Sequence, residues 1–184
     1  ARGRAAPIRG DDIAVTADVR LEDIVGDGKV RVRLPGGRAL DVSLPAGVEP
    51  GERIRLRGQG QPGLNGGTPG DAIVTVAFVP HRHFTVDGAN LRLELPIGLD
   101  EAVLGARVRV PTVEGAVELK VPAGTSSGKT FRLRGKGLPT KHDGRGDLLV
   151  TVRIALPPKE DPELVALMEK WRSEGRYRAR EGFD

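Results

Sequence analysis

Several short stretches of this sequence carry residue types and spacings that can do chemistry. Gly58-Gln-Gly60-Gln-Pro-Gly63 fits the G-x-G-x-x-G pattern of a dinucleotide loop. Such a loop needs a strand before it and a helix after it, so that pyrophosphate sits on the helix N-terminus. Arg53–Arg57 reads as the strand, but Leu64-Asn-Gly-Gly-Thr-Pro-Gly70 is no helix former. Glycines taking positive φ in a loop are the better account. Gly124-Thr-Ser-Ser-Gly128-Lys129-Thr130 approaches a P-loop. It is one residue short, with Ala123 where the first Gly belongs, and it runs into a strand rather than a helix. His81-Arg-His83 pairs two metal-binding side chains, but no carboxylate or third His stands at ligand spacing. Asp71 and Asp147 each follow a glycine and open an apolar run, which fits a structural turn. No Ser–His–Asp arrangement or carboxylate pair stands out. Neither an enzyme, nor a metal, nor a cofactor is expected.

Arg31, Arg33, Arg53, Arg55, Arg57, Arg132 and Arg134 alternate with apolar residues. Such a row is either a solvated sheet face or a set of phosphate contacts. Glu49, Glu52, Glu94 and Glu118 are interspersed, and only four Phe, one Tyr and one Trp are available for base stacking. The solvated face is the favoured reading.

The elements that must position these residues are β-strands. The 184 residues carry a net charge of +4, with 26 Gly, 14 Pro and no Cys. Without Cys there is no disulfide framework and no thiolate-ligated zinc or iron–sulfur site. No apolar run approaches the roughly 18 residues of a membrane span, and the polar, basic start lacks a signal-peptide core.

The chain repeats itself. Residues 45–57, PAGVEPGERIRLR, return as residues 122–134, PAGTSSGKTFRLR. The match continues through Gly58-Gln-Gly60 against Gly135-Lys-Gly137, and Gly70-Asp71 against Gly146-Asp147. Upstream, Leu21-Glu-Asp-Ile-Val25 resembles Leu99-Asp-Glu-Ala-Val103. Period-two alternation in Lys29–Leu34, Arg53–Arg57, Leu91–Leu95, Val117–Val121 and Phe131–Leu133 marks half-buried antiparallel strands. Pro35-Gly36-Gly37, Pro45-Ala-Gly47 and Asp87-Gly88 mark turns. The expected fold is mainly β: two tandem homologous small sandwich-like or barrel-like domains with short helices at 21–25 and 99–104, plus a C-terminal helix. The expected division is a linker at 1–10, a first β domain at 11–80, a link at 81–89, a second β domain at 90–157, and a helix and tail at 158–184.

The C-terminal helix has its own signals. Asp161 can cap it, Pro162 fits its first position and Gly175 its end. Leu164, Leu167, Met168 and Trp171 share one face. That face packs either on its own domain or on a partner, and the spacing alone does not choose.

Leu99-Asp-Glu-Ala-Val-Leu-Gly105, Val108-Arg-Val-Pro111-Thr-Val-Glu-Gly115, Val121-Pro-Ala-Gly124, Arg132-Leu-Arg-Gly135-Lys-Gly137 and Gly146-Asp-Leu-Leu-Val150 together resemble the second C-terminal domain of DnaJ-type co-chaperones. His81-Arg-His-Phe84 with Asp87-Gly-Ala-Asn-Leu91 resembles the junction between that family's two C-terminal domains. Gly10-Asp-Asp-Ile13 with Leu21-Glu-Asp23 resembles the entry to the first. The likeness runs over about residues 10–175. The family's Cys-rich zinc insertion is absent, which resembles the zinc-free subtype. The His-Pro-Asp tripeptide of its J domain does not occur here either, and residues 1–10 resemble the end of a flexible linker.

The resemblance implies a cytoplasmic dimer that holds unfolded polypeptide for a DnaK-class chaperone, which is engaged through a J domain not found in these residues. Carried over by strand position, it implies a client groove lined by Val15, Ala17, Val32, Leu34 and Phe84. Ala17 is small for such a lining. Every strand's apolar face must be covered, so the same residues serve equally as plain core. The resemblance also implies dimerisation through Leu164, Leu167, Met168 and Trp171. Some zinc-free relatives associate with DNA, and a pI near 9.8 keeps weak DNA binding as the alternative. No membrane partner is expected.

Overall fold

The structure, a computed structural model, describes residues 3–183. Ala1 and Arg2, at the start of the expected linker, lie outside the described residues. The first unit runs β1 (Ile13–Val19), α1 (Leu21–Val25), β2 (Lys29–Arg33), β3 (Ala39–Ser43), β4 (Arg53–Leu56) and β5 (Ala72–Phe78). A short strand, β6 (Phe84–Asp87), follows. The second unit repeats the series as β7 (Asn90–Gly98), α2 (Leu99–Leu104), β8 (Ala106–Thr112), β9 (Gly115–Val121), β10 (Thr130–Leu133) and β11 (Leu148–Ala155). Last comes α3 (Pro162–Glu174).

Each unit is a small sandwich of one sheet against one hairpin. In the first, the sheet order is β1-β5-β4 and the hairpin is β2-β3; in the second, the order is β10-β11-β7-β6 and the hairpin is β8-β9. Alternation decides what fills the space between the layers. Val74 and Val76 on β5, and Val30 and Val32 on β2, turn inward and are buried. Leu91, Leu148, Val150 and Val152 do the same in the second unit, and the arginines between the inward residues of β2 and β4 point outward.

The alternating strands and both short helices form where the residue pattern expects them, and the architecture is the mainly β fold anticipated. Two features differ. The central pairs are parallel, β1 with β5 and β7 with β11, because both ends of each unit return to one sheet through a long excursion. The stretch read as a plain link contains β6, which forms a hairpin on β7 through the Asp87-Gly88 turn. Part of the expected linker is also tied down: Ile8 exchanges backbone bonds with Leu64 at 3.0 and 2.9 Å.

The recurring Gly-Asp step explains itself in three dimensions. Asp71 Oδ1 accepts from Gly58 N–H at 2.8 Å, and its Oδ2 accepts from Arg55 Nε at 2.7 Å. The Asp71 N–H in turn donates to Asp12 Oδ1 at 2.7 Å. In the second unit, Asp147 Oδ1 accepts from Gly135 N–H at 2.9 Å, and its N–H donates to Asn90 Oδ1 at 2.8 Å. Arg132 stands 3.6 Å from Asp147, a looser pair than Arg55 and Asp71.

The glycine-rich loop is built for backbone contact. Gly60 N–H donates to Gly70 O, and Gln61 N–H to Asp11 O; Gly137 with Gly146, and Leu138 with Ala89, repeat the pattern. A Cβ on Gly70 would fall on the Asp11 carbonyl, and one on Gly146 on the Ala89 carbonyl. These glycines allow three chain segments to lie against each other, so no phosphate is needed to explain them.

Two outcomes follow for stability. Gly70→Ala should cost more than Gly66→Ala. Gly66 has φ +81° but open space around it, so its replacement costs only the left-handed penalty, roughly 1–2 kcal/mol; Gly70→Ala adds a backbone clash. Urea unfolding of the two variants measures the difference. The Gly58 N–H and then the Arg55 guanidinium hold the Asp71 carboxyl below its ordinary value of 3.8. The unfolded chain therefore takes up this proton at higher pH than the native one. The stabilisation is complete above that value and is lost as pH falls through the lower folded value. Asp71→Asn should lower the urea midpoint at pH 7 and flatten the decline in stability between pH 4 and pH 2.

Candidate functional site

The sides of β1 are distinguishable from its pairing. Ile13 N–H donates to Asp71 O and Val79 N–H to Val19 O, so the odd-numbered residues of β1 turn their backbone groups toward β5. Ala14, Thr16 and Asp18 turn theirs to the opposite edge, where no strand pairs with β1 among the described residues. In the second unit the matching edge of β7 is filled by β6, antiparallel, from Phe84 opposite Leu93 to Asp87 opposite Asn90.

Beside the open edge lies the apolar face of β1. Ile13 and Val15 are half-buried there, while Ala17 is 2% exposed. The remaining groove candidates are also largely covered: Val32 is 4% exposed, Leu34 3% and Phe84 6%. All five belong to the apolar core that extends through both units, with Phe84 contributed by β6. Only Val15 of the five keeps appreciable surface. Ile13, which shares its parity, was missed; alternation from Val15 back by two residues would have found it. Ile13 and Leu34 lie with Pro35, Arg38, Gln59 and Pro69 around a shallow cavity at the start of β1. Arg38 bonds the Gln59 carbonyl at its rim, at 3.3 Å.

The second unit closes its counterpart. Thr112, buried and bonded to the Gly115 carbonyl, stands where the first unit has Leu34. Glu114 at the hairpin turn, where the first unit has Gly36, pairs with Arg145 and sits 3.9 Å from Lys136. The Arg145 guanidinium holds the Glu114 carboxyl below its ordinary value. Ion pairs thus pin the second hairpin to its neighbouring loop, whereas Gly36 carries no charge and the first hairpin reaches its loop through the bond from Arg38 to the Gln59 carbonyl.

None of this arrangement supplies a nucleophile, a general base or a ligand cage. Among the described residues no group of three His, Asp or Glu side chains could hold a metal ion. What the first unit does present is unpaired backbone beside half-exposed aliphatic side chains, a combination suited to an extended peptide.

The C-terminal helix is separate from this region. Asp161 Oδ1 accepts from Glu163 and Leu164 N–H at 2.9 and 3.3 Å, and Gly175 ends the helix in the left-handed region at φ 59°. No residue of α3 is fully buried. Leu164 leans into an apolar depression with Ile97, Val103, Leu104 and Leu156. Leu167 is 44% exposed. Trp171 meets the edge of Tyr177 at 6.2 Å and the Arg176 guanidinium at 6.0 Å, so the tail partly shields it and Met168. No helix among the described residues is long and apolar enough to cross a membrane.

Comparison with known proteins agrees with this architecture. The family model described as the DnaJ C terminal domain matches residues 13–157. A Chaperone protein DnaJ 2 of Cutibacterium acnes is 47% identical over 153 residues, covering 83% of this chain and 40% of its own length. A Chaperone protein DnaJ 2 of Mycolicibacterium paratuberculosis is 44% identical over 80% of this chain and 37% of its own length. A protein named Curved DNA-binding protein, from Serratia proteamaculans, is 37% identical over 92% of this chain and 59% of its own length. The chain thus spans less than two thirds of each of these relatives. With the match extending from the first residue of β1 to just past β11, the chain belongs to the DnaJ C-terminal domain family.

Proposed function

We propose that this chain is the client-binding part of a co-chaperone: it holds extended, non-native polypeptide for transfer to a DnaK-class chaperone, in the cytoplasm, and is a binding module rather than an enzyme. The observation that carries the reading is the difference between the two copies of one sheet. The second unit supplies its own outer strand, β6 on β7, and the first leaves the equivalent edge of β1 open. A client segment takes the place in the first unit that β6 takes in the second. Main-chain bonds to Ala14, Thr16 and Asp18 bind without regard to client sequence, and Ile13 and Val15 reward apolar client side chains.

Ala17, Val32, Leu34 and Phe84 form the floor of this groove. The β2-β3 hairpin shares no ladder with the main sheet, so side chains alone hold it there. It can lift to let a strand in between β1 and β2. Relatives named as chaperones support the reading.

Two chains joined through Leu164, Leu167, Met168 and Trp171 would present two such edges to one client, raising avidity without new contacts. The exposed Leu167 favours this partner role for α3.

A second reading has one specific support, the likeness to a protein named Curved DNA-binding protein. Arg31, Arg33, Arg53 and Arg57 are exposed and lie on strands or directly beside them. DNA affinity that falls steeply with salt would favour it.

Thr16→Pro removes an outward N–H without touching the pairing to β5, and an edge strand accepts proline. Losing one or two main-chain bonds of about 1 kcal/mol each should weaken an unfolded model client about tenfold, measured by fluorescence anisotropy; Thr16→Val should bind as the parent does. Unchanged binding by Thr16→Pro would rule out the edge. Joint replacement Leu167→Asp and Trp171→Asp should move the sedimentation coefficient from dimer to monomer, and an unmoved coefficient would leave α3 as an intramolecular element.

A further inference from the structure

One side chain at the junction of the two units has bonding unusual for a linker residue. The first unit ends where Val79 N–H donates to Val19 O, and β6 begins at Phe84. Only residues 80–83 join them. His81, in that bridge, is bonded on both sides. Its Nδ1 accepts from the backbone N–H groups of His83 at 3.0 Å and Phe84 at 3.2 Å. Its Nε2 lies 3.1 Å from Glu22 Oε1, on α1 of the first unit. The imidazole ring also lies against the Phe84 ring, centroids 4.6 Å apart and tilted by 32°.

These contacts fix the proton. A neutral imidazole carries one N–H and one acceptor nitrogen. Two donors converge on Nδ1, so Nδ1 is the acceptor and the proton sits on Nε2, from where it donates to Glu22. The ring therefore reads the chain entering the second unit with one nitrogen and the helix of the first unit with the other.

The remaining contacts between the units are of a different kind. Ile24 and Val48 of the first unit and Leu138 of the second line a small cleft, beside which Gly47 lies close against the Lys141 backbone, and Lys141 pairs with Glu52 at 3.3 Å. Apolar contact is non-directional and tolerates sliding, and an exposed Lys–Glu pair on flexible stems constrains little. The three bonds at His81 are directional and involve backbone on one side. Without the ring, the His83 and Phe84 N–H groups lose their acceptor, and the four-residue bridge keeps only its covalent geometry.

We infer that His81, as the neutral tautomer protonated on Nε2, is the clasp that fixes the angle between the two units. The strand edge lies on one unit and α3 on the other, so the clasp sets how the two face each other. The inference stands on the junction geometry and does not depend on what the open edge binds.

Nuclear magnetic resonance on the whole chain tests it at neutral pH. Long-range proton–nitrogen spectra should show Nδ1 of His81 as the acceptor nitrogen and Nε2 as the protonated one. Residual dipolar couplings from both units of the parent should fit one alignment tensor. His81→Phe keeps a ring against Phe84 but removes all three bonds, and Glu22→Ala removes the bond to the first unit. Each should lose the common tensor while the couplings within each unit still fit its own. Glu22→Gln keeps an acceptor oxygen and should retain the common tensor. If His81→Phe does not fold, Glu22→Ala, which alters a half-exposed side chain, decides the matter. A proton on Nδ1, or a single shared tensor in Glu22→Ala, would overturn the assignment.

Discussion

The bond from Asp71 to the Gly58 N–H is the constraint on which each unit's closure depends. It joins the end of β4 to the start of β5, while the Asp71 N–H, through Asp12, joins the start of β1 to the same point. Three strands that are distant in sequence thereby begin or end at one carboxylate. The parallel pairing of β1 with β5 has no hairpin to set its register, so this joint sets it. Asp147 with Gly135 and Asn90 does the same for β7 and β11. The substitution of Asn90 for Asp12 shows what is essential. Only the side-chain carbonyl-type oxygen is used, and either residue provides it.

With the joint conserved, the copies diverge around it. The first adds Arg9, which reaches both Asp12 and Asp71 and brings the incoming segment into the network. The second moves its ionic reinforcement to the hairpin turn, at Glu114 and Arg145. Both devices are ion pairs, Arg9 on the buried Asp71 and the partly covered Arg145 on Glu114, and neither changes the sheet. They change which parts of the sandwich are held down: the entry of the first unit, and the hairpin of the second. The duplicated fold thus ties its second hairpin to the neighbouring loop by ion pairs at Glu114, and its first by the single bond from Arg38 to the Gln59 carbonyl.

Much of this was legible in the residues. Strict alternation located the strands because each has one buried and one wet face, and the duplicated Gly-Asp step announced a structural role that the joint confirms. The cap at Asp161 and the stop at Gly175 placed α3, since those signals are local. Pairing partners were not legible. That β1 runs parallel to β5 depends on closure across the whole unit, which alternation does not encode. The strand β6 was hidden because four residues between two histidines and an Asp-Gly turn are shorter than the pattern can register. Burial was equally hidden. Val32, Leu34 and Phe84 have the parity of groove residues and of core residues alike. Only the packing of the hairpin on the sheet shows how far they are covered.

Edge strands explain why a duplicated sheet would treat its two copies differently. An unpaired edge is a template for unwanted association, and proteins guard such edges with charge, shortness or a covering element. Here β4 is short, with Arg53 and Arg55 on its outer face, and β10 is flanked by Lys129 and Arg134. The edge of β7 is covered by β6. The edge of β1 is neither short nor covered by another strand among the described residues. It is seven residues long, and its outward-facing side chains, Ala14, Thr16 and Asp18, include one charge. Among the edges of the two main sheets, β4, β6 and β10 are four residues long each, and the seven-residue β1 is the longest left unpaired. Asp18 lies toward the far end of the strand, beside the buried Ala17 and Val19, so the stretch left least protected is the one next to Ile13 and Val15. The apolar surface and the unpaired backbone therefore coincide at the start of β1, and the proposed client site rests on that coincidence.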